Sequence, residues 1–447
     1  MHKQHTRPTA RVLSVIFVLA LLALSTSLAS AQPRTVTTSV TELAKLTASD
    51  GATGDEFGYS VSMSGDTVVV GAYTDEDNGD RCGSVYVFER DAGGSGNWEQ
   101  AAKLTASDAA EDAFFGWSVS ISGDTVVVGA HGADGKGAAY VFERDCGGVG
   151  NWGQTAKLSA SDGAAGSGFG AAVSIVGDTV VVGAPGDDNS GSNFGSAYVF
   201  ERDAGGAGTW GEVAKLAASD GIENDYLGRA VSVDGDVALV GAWGADHIGR
   251  AFLYERDAGG ADRWGQVAKL TASDGGTWDL FGSSVSISSD TAVVGAYGDD
   301  DSGDMSGTAY LFEKPGSGWT NMNETAKLTA TDSADSSNFG YSVSVSGAVV
   351  VVGSHGDGDN GTFSGSAYLF KKPAAGWDDM TETAKFTASD CAEQDYFAWS
   401  VATSGAHIVA GARQDDDNGE GSGSAYLFTH FTPAAWVYLP VVLRSAP

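Results

Sequence analysis

The sequence predicts an all-β protein: a seven-bladed β-propeller of four-stranded antiparallel blades, closed by the N-terminal strand completing blade seven. Three observations carry that expectation. The triplet Ala-Lys-Leu begins at Ala44, Ala102, Ala156, Ala214, Ala268 and Ala326 and returns as Ala384-Lys385-Phe386, at spacings of 58, 54, 58, 54, 58 and 58 residues. Every unit carries the same extended segments in the same order, which is the mark of a repeat architecture. The two ends are complementary, because the seventh unit stops at Phe428 without an Ala-Lys-Leu strand while the first such strand, around Ala44, has no blade before it.

Within the first unit the pieces are Phe57-Gly58-Tyr59-Ser60-Val61-Ser62, Thr67-Val68-Val69-Val70-Gly71-Ala72, Gly83-Ser84-Val85-Tyr86-Val87-Phe88, and Trp98 leading to Ala102-Lys103-Leu104. Ser64-Gly65-Asp66 is a tight turn between the first two, with Gly supplying the positive φ of a short hairpin. The second piece is a continuous apolar run, as for a strand covered on both faces. Four strands per unit, repeated radially, is the propeller pattern. Val40 to Leu46 aligns with Trp98 to Leu104, so the N-terminal strand should close the ring and remove sheet edges that would template aggregation. Trp98, Trp152, Trp210 and Trp264 recur at one outer-strand position, with Met322 and Met380 taking that slot in blades five and six; recurrence at one position marks packing.

The first 31 residues read as a signal peptide: basic Lys3, Arg7 and Arg11, the apolar stretch Val12 to Leu24, and small residues Ala29-Ser30-Ala31 before the cleavage point. The expected organisation is thus a leader over 1–31, the propeller over 36–428, and a short hydrophobic tail over 429–447 that either caps the ring or tags it for surface attachment. That tail is too short to span a bilayer, and no transmembrane segment is expected. The whole chain carries a formal charge of −33. Such an excess of carboxylates argues against nucleic acid and anionic membranes. Cys82, Cys146 and Cys391 are too few for a disulfide framework and read as incidental.

The phrases Phe57-Gly58…Gly71-Ala72, Phe115-Gly116…Gly129-Ala130 and Phe169-Gly170…Gly183-Ala184-Pro185 resemble FG-GAP repeats, the units of integrin α-like propellers and of many bacterial exported proteins. The resemblance covers about residues 36–428, with Leu227 in place of Phe, Ala398 in place of Gly and Ser354 in place of Ala. It implies a ligand-engaging upper surface. Integrin-like repeats often carry a calcium loop between strands one and two; here that link is only Ser122-Gly123-Asp124 or its equivalent, too short to wrap six to eight oxygens.

Because strands alternate in direction, the loops joining strands two and three should share a face with those joining one blade to the next. The first set holds Asp75, Asp77, Asp299, Asp301, Asp357, Asp359, Asp415 and Asp417, candidate oxygen ligands for Ca²⁺, although such Asp-rich runs are also ordinary turn formers. No cofactor is required by the sequence. The same face should carry two rings of variable residues near the axis. After each Phe-Gly equivalent come Tyr59, Trp117, Ala171, Arg229, Ser283, Tyr341 and Trp399; after each Gly-Ala equivalent come Tyr73, His131, Pro185, Trp243, Tyr297, His355 and Arg413. The expected ligand-binding set is Tyr59, Tyr73, Trp117, His131, Tyr341, His355, Trp399 and Arg413, where aromatic faces beside carboxylates suit a basic side chain. The alternative is that these rings merely plug the pore mouth.

Catalysis finds little support, since His131, His247, His355, His407 and His430 show neither metal-ligand spacing nor a matched nucleophile. The expected function is a secreted or surface-exposed binding and adhesion module for an extracellular protein or glycan. A secreted carbohydrate-active enzyme or lectin-like sugar binder is the second reading, and a structural surface-layer or matrix component the third.

Overall fold

The computed structural model describes residues 38–431 except 92, 93, 95, 147 and 189–191. The leader over 1–31 and the tail beyond residue 431 lie outside the described residues, and the last strand continues three residues past the expected ring end, to Phe431. Within Ser39–Phe431 the chain forms seven sheets of four-stranded antiparallel blades. Blade one is Ser60–Ser64, Thr67–Ala72, Ser84–Arg90 and Trp98–Leu104. Its second strand is buried at every residue, as its unbroken apolar run requires. The innermost strand alternates instead, burying Val61 and Met63 and leaving Ser60, Ser62 and Ser64 half-buried.

Blade seven is built from both ends of the chain. Ser39–Leu46 pairs antiparallel with Ser424–Phe431, matching Val40 with His430 and Lys45 with Tyr426, outside strands His407–Ala412 and Phe397–Ser404. The Glu42 carboxylate, on this same strand, accepts hydrogen bonds from Ser389 N (2.9 Å) and Oγ (3.0 Å). The ring is shut by its own leading strand.

The core is divided into seven wedges, each formed by adjacent blades; one holds Val69, Val85, Val87 and Leu104 of blade one against Phe115, Val126, Val128, Tyr140 and Phe142 of blade two. The Phe of each Phe-Gly pair anchors a wedge. Phe57 is fully buried and lies edge-on to Tyr86 at 5.4 Å and Phe88 at 5.9 Å. The glycine after it is required twice over. Gly58 sits at φ 94°, and a Cβ there would fall 2.3 Å from the Ser424 carbonyl oxygen of blade seven.

Near the axis, hydroxyls stitch one blade to the next. Ser60 Oγ donates to the Gly116 carbonyl at 2.7 Å, Ser118 to Gly170 at 2.9 Å, Ser284 to Gly340 at 2.7 Å, Ser342 to Ala398 at 2.9 Å and, across the closure, Ser400 to Gly58 at 2.8 Å. Each bond fixes the segment that carries the ring residue of the following blade.

Two outer strands depart from the expected pattern. In blades five and six they shrink to Ala326–Thr329 and Ala384–Phe386, while Met322–Asn323 and Met380–Thr381 pair in parallel with the outer strands of blades four and five. The shortened blades enter their outer strands through Pro315 and Pro373, which donate no ladder hydrogen bond. Met322 and Met380 therefore do not fill the Trp slot alone: Trp319 and Trp377, three residues earlier, are buried in the same wedges at 5% and 6% exposure.

Candidate functional site

The loop chemistry begins with a lysine. In blade one, Lys103 of the Ala-Lys-Leu triplet extends its ammonium into the loops above and donates to Asp77 (2.6 Å), Asp50 (2.9 Å) and Asp75 (3.0 Å). Asp50 comes from the loop entering the blade and Asp75 and Asp77 from the loop between strands two and three, so the two loop sets do share one face. Asp75 is buried and also accepts the Tyr86 hydroxyl at 2.7 Å. Desolvation pulls the Lys103 ammonium down, but the bonds to Asp77, Asp50 and Asp75 outweigh it and raise its pKa well above the usual lysine range.

The device recurs with variations. Lys385 holds Asp332, Asp357 and Asp359, and Lys45 holds Asp390, Asp415 and Asp417, which among the described residues are the two groups whose carboxylates are close enough together to bind one metal ion. Lys327 pairs with Asp274 and Asp301 and lies 3.6 Å from Asp299. The eight acidic residues expected as calcium ligands thus lie in four pairs, each beside the ammonium of the lysine on its own blade's outer strand. In blades two and four, the shorter repeats, Ala133 and Ala245 replace the buried aspartate; Lys157 keeps Asp108 and Asp134, Lys269 keeps only Asp220, and in blade four Phe252 stands where Tyr86 stands in blade one, so no hydroxyl there needs the missing carboxylate.

On the same face, all seven residues following the Phe-Gly equivalents line one pocket, together with Trp243 and Tyr297 from the second ring. A pocket lined by the same position of every blade lies on the ring axis. Its volume is about 150 Å³. On one side the aromatics form a continuous arc. His131 lies 4.3 Å from Trp117, Trp117 4.7 Å from Tyr59, Tyr59 5.8 Å from Trp399, Trp399 4.5 Å from Tyr341, and Tyr341 5.2 Å from Tyr297, as ring-centroid separations. Tyr73 packs on Tyr59 at 4.3 Å and His355 on Tyr341 at 4.3 Å. All eight sequence-derived ligand-binding residues are therefore brought together, but only Tyr59, Trp117, Tyr341 and Trp399 reach the pocket wall. Tyr73, His131, His355 and Arg413 stand behind them.

Both histidines are held neutral. Burial, then the Arg229 charge, lowers His131 to about 4; burial, then Arg413, lowers His355 to about 3. The Nδ1 atom of each is buried without a partner. Arg413 stacks over Trp399, its guanidinium carbon 4.0 Å from the ring centroid, and donates to Glu56 at 2.6 Å, so its charge is neutralised locally.

The sequence reading left Ala171, Arg229, Ser283, Trp243 and Tyr297 out of the expected set because it followed the contiguous aromatic sector of blades six, seven, one and two; Tyr297 extends that arc, and the other four form the opposite wall. It also missed Phe114 and Tyr396, the residues before the Phe-Gly equivalents, which adopt left-handed φ of 56° and 53° and pack on His131 (5.1 Å) and His355 (5.8 Å). Positive φ at a bulky residue leaves no mark in a single sequence. Cys82, Cys146 and Cys391 are free thiols.

Fold and site together define a closed seven-bladed propeller with one axial pocket set in a carboxylate-rich face. FG-GAP repeats match residues 40–88, 98–142, 152–200, 210–254, 264–312, 322–370 and 380–428, one per blade, and the chain belongs to the FG-GAP repeat family. No curated protein matches it. Among the described residues, no helix is long and apolar enough to cross a membrane.

Proposed function

We propose that this protein is an exported recognition module that takes an extracellular protein or glycan ligand on its axial, aromatic-lined face and performs no chemistry on it. The observation that supports this best is the axial pocket: the ring positions that line it differ from blade to blade, whereas the residues that build the blades repeat. A concave site with aromatic walls and a few polar tips is the usual form of a small-group binding site. The remaining rim carboxylates suit a ligand that is neutral or basic where it meets the loops. Calcium assistance enters this proposal only as exchange, with an ion taking the place of Lys45 or Lys385 among three carboxylates.

The test is a protein and glycan array probed with the exported chain and with Trp117→Ala and Trp399→Ala variants. Loss of a specific signal in the variants, with the fold intact by circular dichroism, is the expected result. Unchanged binding by folded variants would remove the axial face from the function. Repeating the array in a chelator reads the calcium exchange directly.

A further inference from the structure

The wall opposite the aromatic arc carries a guanidinium. Arg229 lines the pocket with its guanidinium carbon 5.3 Å from the Trp243 ring centroid, and among the described residues no carboxylate and no hydrogen-bond acceptor pairs with it. That sets it apart from Arg413, which has Glu56, and from Arg144, Arg202 and Arg256 on the other face, each bound to two carboxylates. Burial raises the hydroxyls of Tyr59, Tyr297 and Tyr341 across the pocket, and the Arg229 charge opposes that rise without cancelling it. Next to it the buried indole N–H of Trp243 has no acceptor among the described residues. The lining contains no Asp or Glu. A buried donor left unmatched costs free energy, and a guanidinium presents a planar fork of donors matched to a carboxylate.

Size narrows the ligand. About 150 Å³ is a volume that encloses a single six-membered ring. The surrounding loops carry exposed carboxylates such as Asp77 and Asp301, so an extended polyanion would meet repulsion on approach while one buried negative charge would not. We propose that the axial pocket seats a terminal sugar acid: one pyranose ring against the Tyr59–Trp399–Tyr341 wall, with its single carboxylate paired to Arg229 and an oxygen of the ring or carboxylate accepting from Trp243 Nε1. The assignment rests on the axial face being the binding surface and names the end group it takes.

The probes are methyl glucuronide, the uncharged methyl glucoside of the same shape, and N-acetyl-aspartate amide as a peptide-type carboxylate, titrated by calorimetry and ligand-observed NMR. The glucuronide is expected to bind at least ten-fold more tightly than the glucoside, and Arg229→Gln to erase at least ten-fold of that affinity, the usual worth of a charge-assisted hydrogen bond. Arg229→Lys should restore only part, since an ammonium lacks the fork. Because no carboxylate among the described residues pairs with Arg229, these variants should melt no lower than the parent protein. Equal binding of glucuronide and glucoside, an unchanged Arg229→Gln, or binding of the aspartate derivative without the glucuronide each overturns the assignment. If the array ligand still requires Trp399 while the glucuronide fails, only this inference falls; if Trp117 and Trp399 are dispensable there, the surface itself was misassigned.

Discussion

Replacing Lys385 by Met removes the ammonium from a site where Asp357 is 4% exposed and already holds the Tyr368 hydroxyl at 3.0 Å. Breaking a fully buried ion pair by deleting one partner costs about 3–5 kcal/mol, because the remaining charge is stranded. Here Asp332 and Asp359 are exposed enough to rehydrate and Lys385 is itself partly exposed, so only the Asp357 pair counts, at less than the fully buried value, and the expected loss is about 2–3 kcal/mol. With an unfolding entropy of about 2.1 cal/mol/K per residue over Ser39–Phe431, that is a fall of about 3 °C in Tm, readable by calorimetry. Lys269→Met is the internal control: its carboxylate partner is the half-exposed Asp220, and the loss should stay within about 1 kcal/mol. Adding Asp357→Asn to Lys385→Met should recover at least half the loss, since the stranded charge is gone. Equal losses at 269 and 385, or no recovery with Asp357→Asn, would refute the claim that these lysines act by neutralising a buried aspartate.

Other outcomes follow from the same geometry. Ala398 occupies the Phe-Gly glycine position at φ 62°, so Ala398→Gly should stabilise the protein by about 1 kcal/mol, measured by denaturant melts, and a destabilised variant would contradict the strain. His355 stays neutral in the folded state down to about 3 while an unfolded histidine takes a proton near 6.5, so it destabilises the fold increasingly as pH falls below 6.5. Asp55 and Asp395, raised to about 6 chiefly by desolvation, act with the opposite sign, retaining protons that the unfolded chain has lost and so favouring the fold as pH falls from 6 towards 4. His355→Gln should therefore gain on the parent protein between pH 6.5 and 4, by up to about 1.4 kcal/mol per pH unit; parallel Tm–pH curves would exclude the assignment. Finally, Arg144–Glu89, Arg202–Glu143, Arg256–Glu201, Lys314–Glu255 and Lys372–Glu313 bridge successive blades from one to six, but blade seven carries Thr429 and His430 at these positions. Native-state hydrogen exchange should open Ser39–Leu46 and Ser424–Phe431 first, and uniform protection around the ring would count against this.

What was legible in the sequence and what was not divides along a physical line. The repeat exposed what depends on backbone periodicity: the seven blades, the closure of the ring by the strand around Val40 to Leu46, the shared face of Asp50 and Asp75, and the ring of residues on the axis. Interactions between side chains distant in sequence stayed hidden. Lys103 looked like a strand residue and Asp75 and Asp77 like a hard-ion loop, because nothing local says that an ammonium 26 residues away will enter the same space. The parallel pairing of Met322 with Leu270 was equally unreadable, since it joins two blades through a segment following Pro315.

The repeats also serve as an internal alignment, in which sameness marks construction and difference marks use. Phe57, Gly71, Tyr86 and Lys103 have near-identical counterparts around the ring because each blade must solve the same packing and neutralisation problem. The position after the Phe-Gly pair solves no such problem: Ala171, Arg229 and Ser283 stand where Tyr59, Trp117, Tyr341 and Trp399 stand in other blades. Were the ring only a plug, seven similar apolar side chains would fill the axis best and a guanidinium would be the costliest choice. The asymmetry places aromatic surface on one side and an unmatched positive charge on the other, a polarity that closing a pore does not need and that a bound group with an apolar face and an acidic end would use.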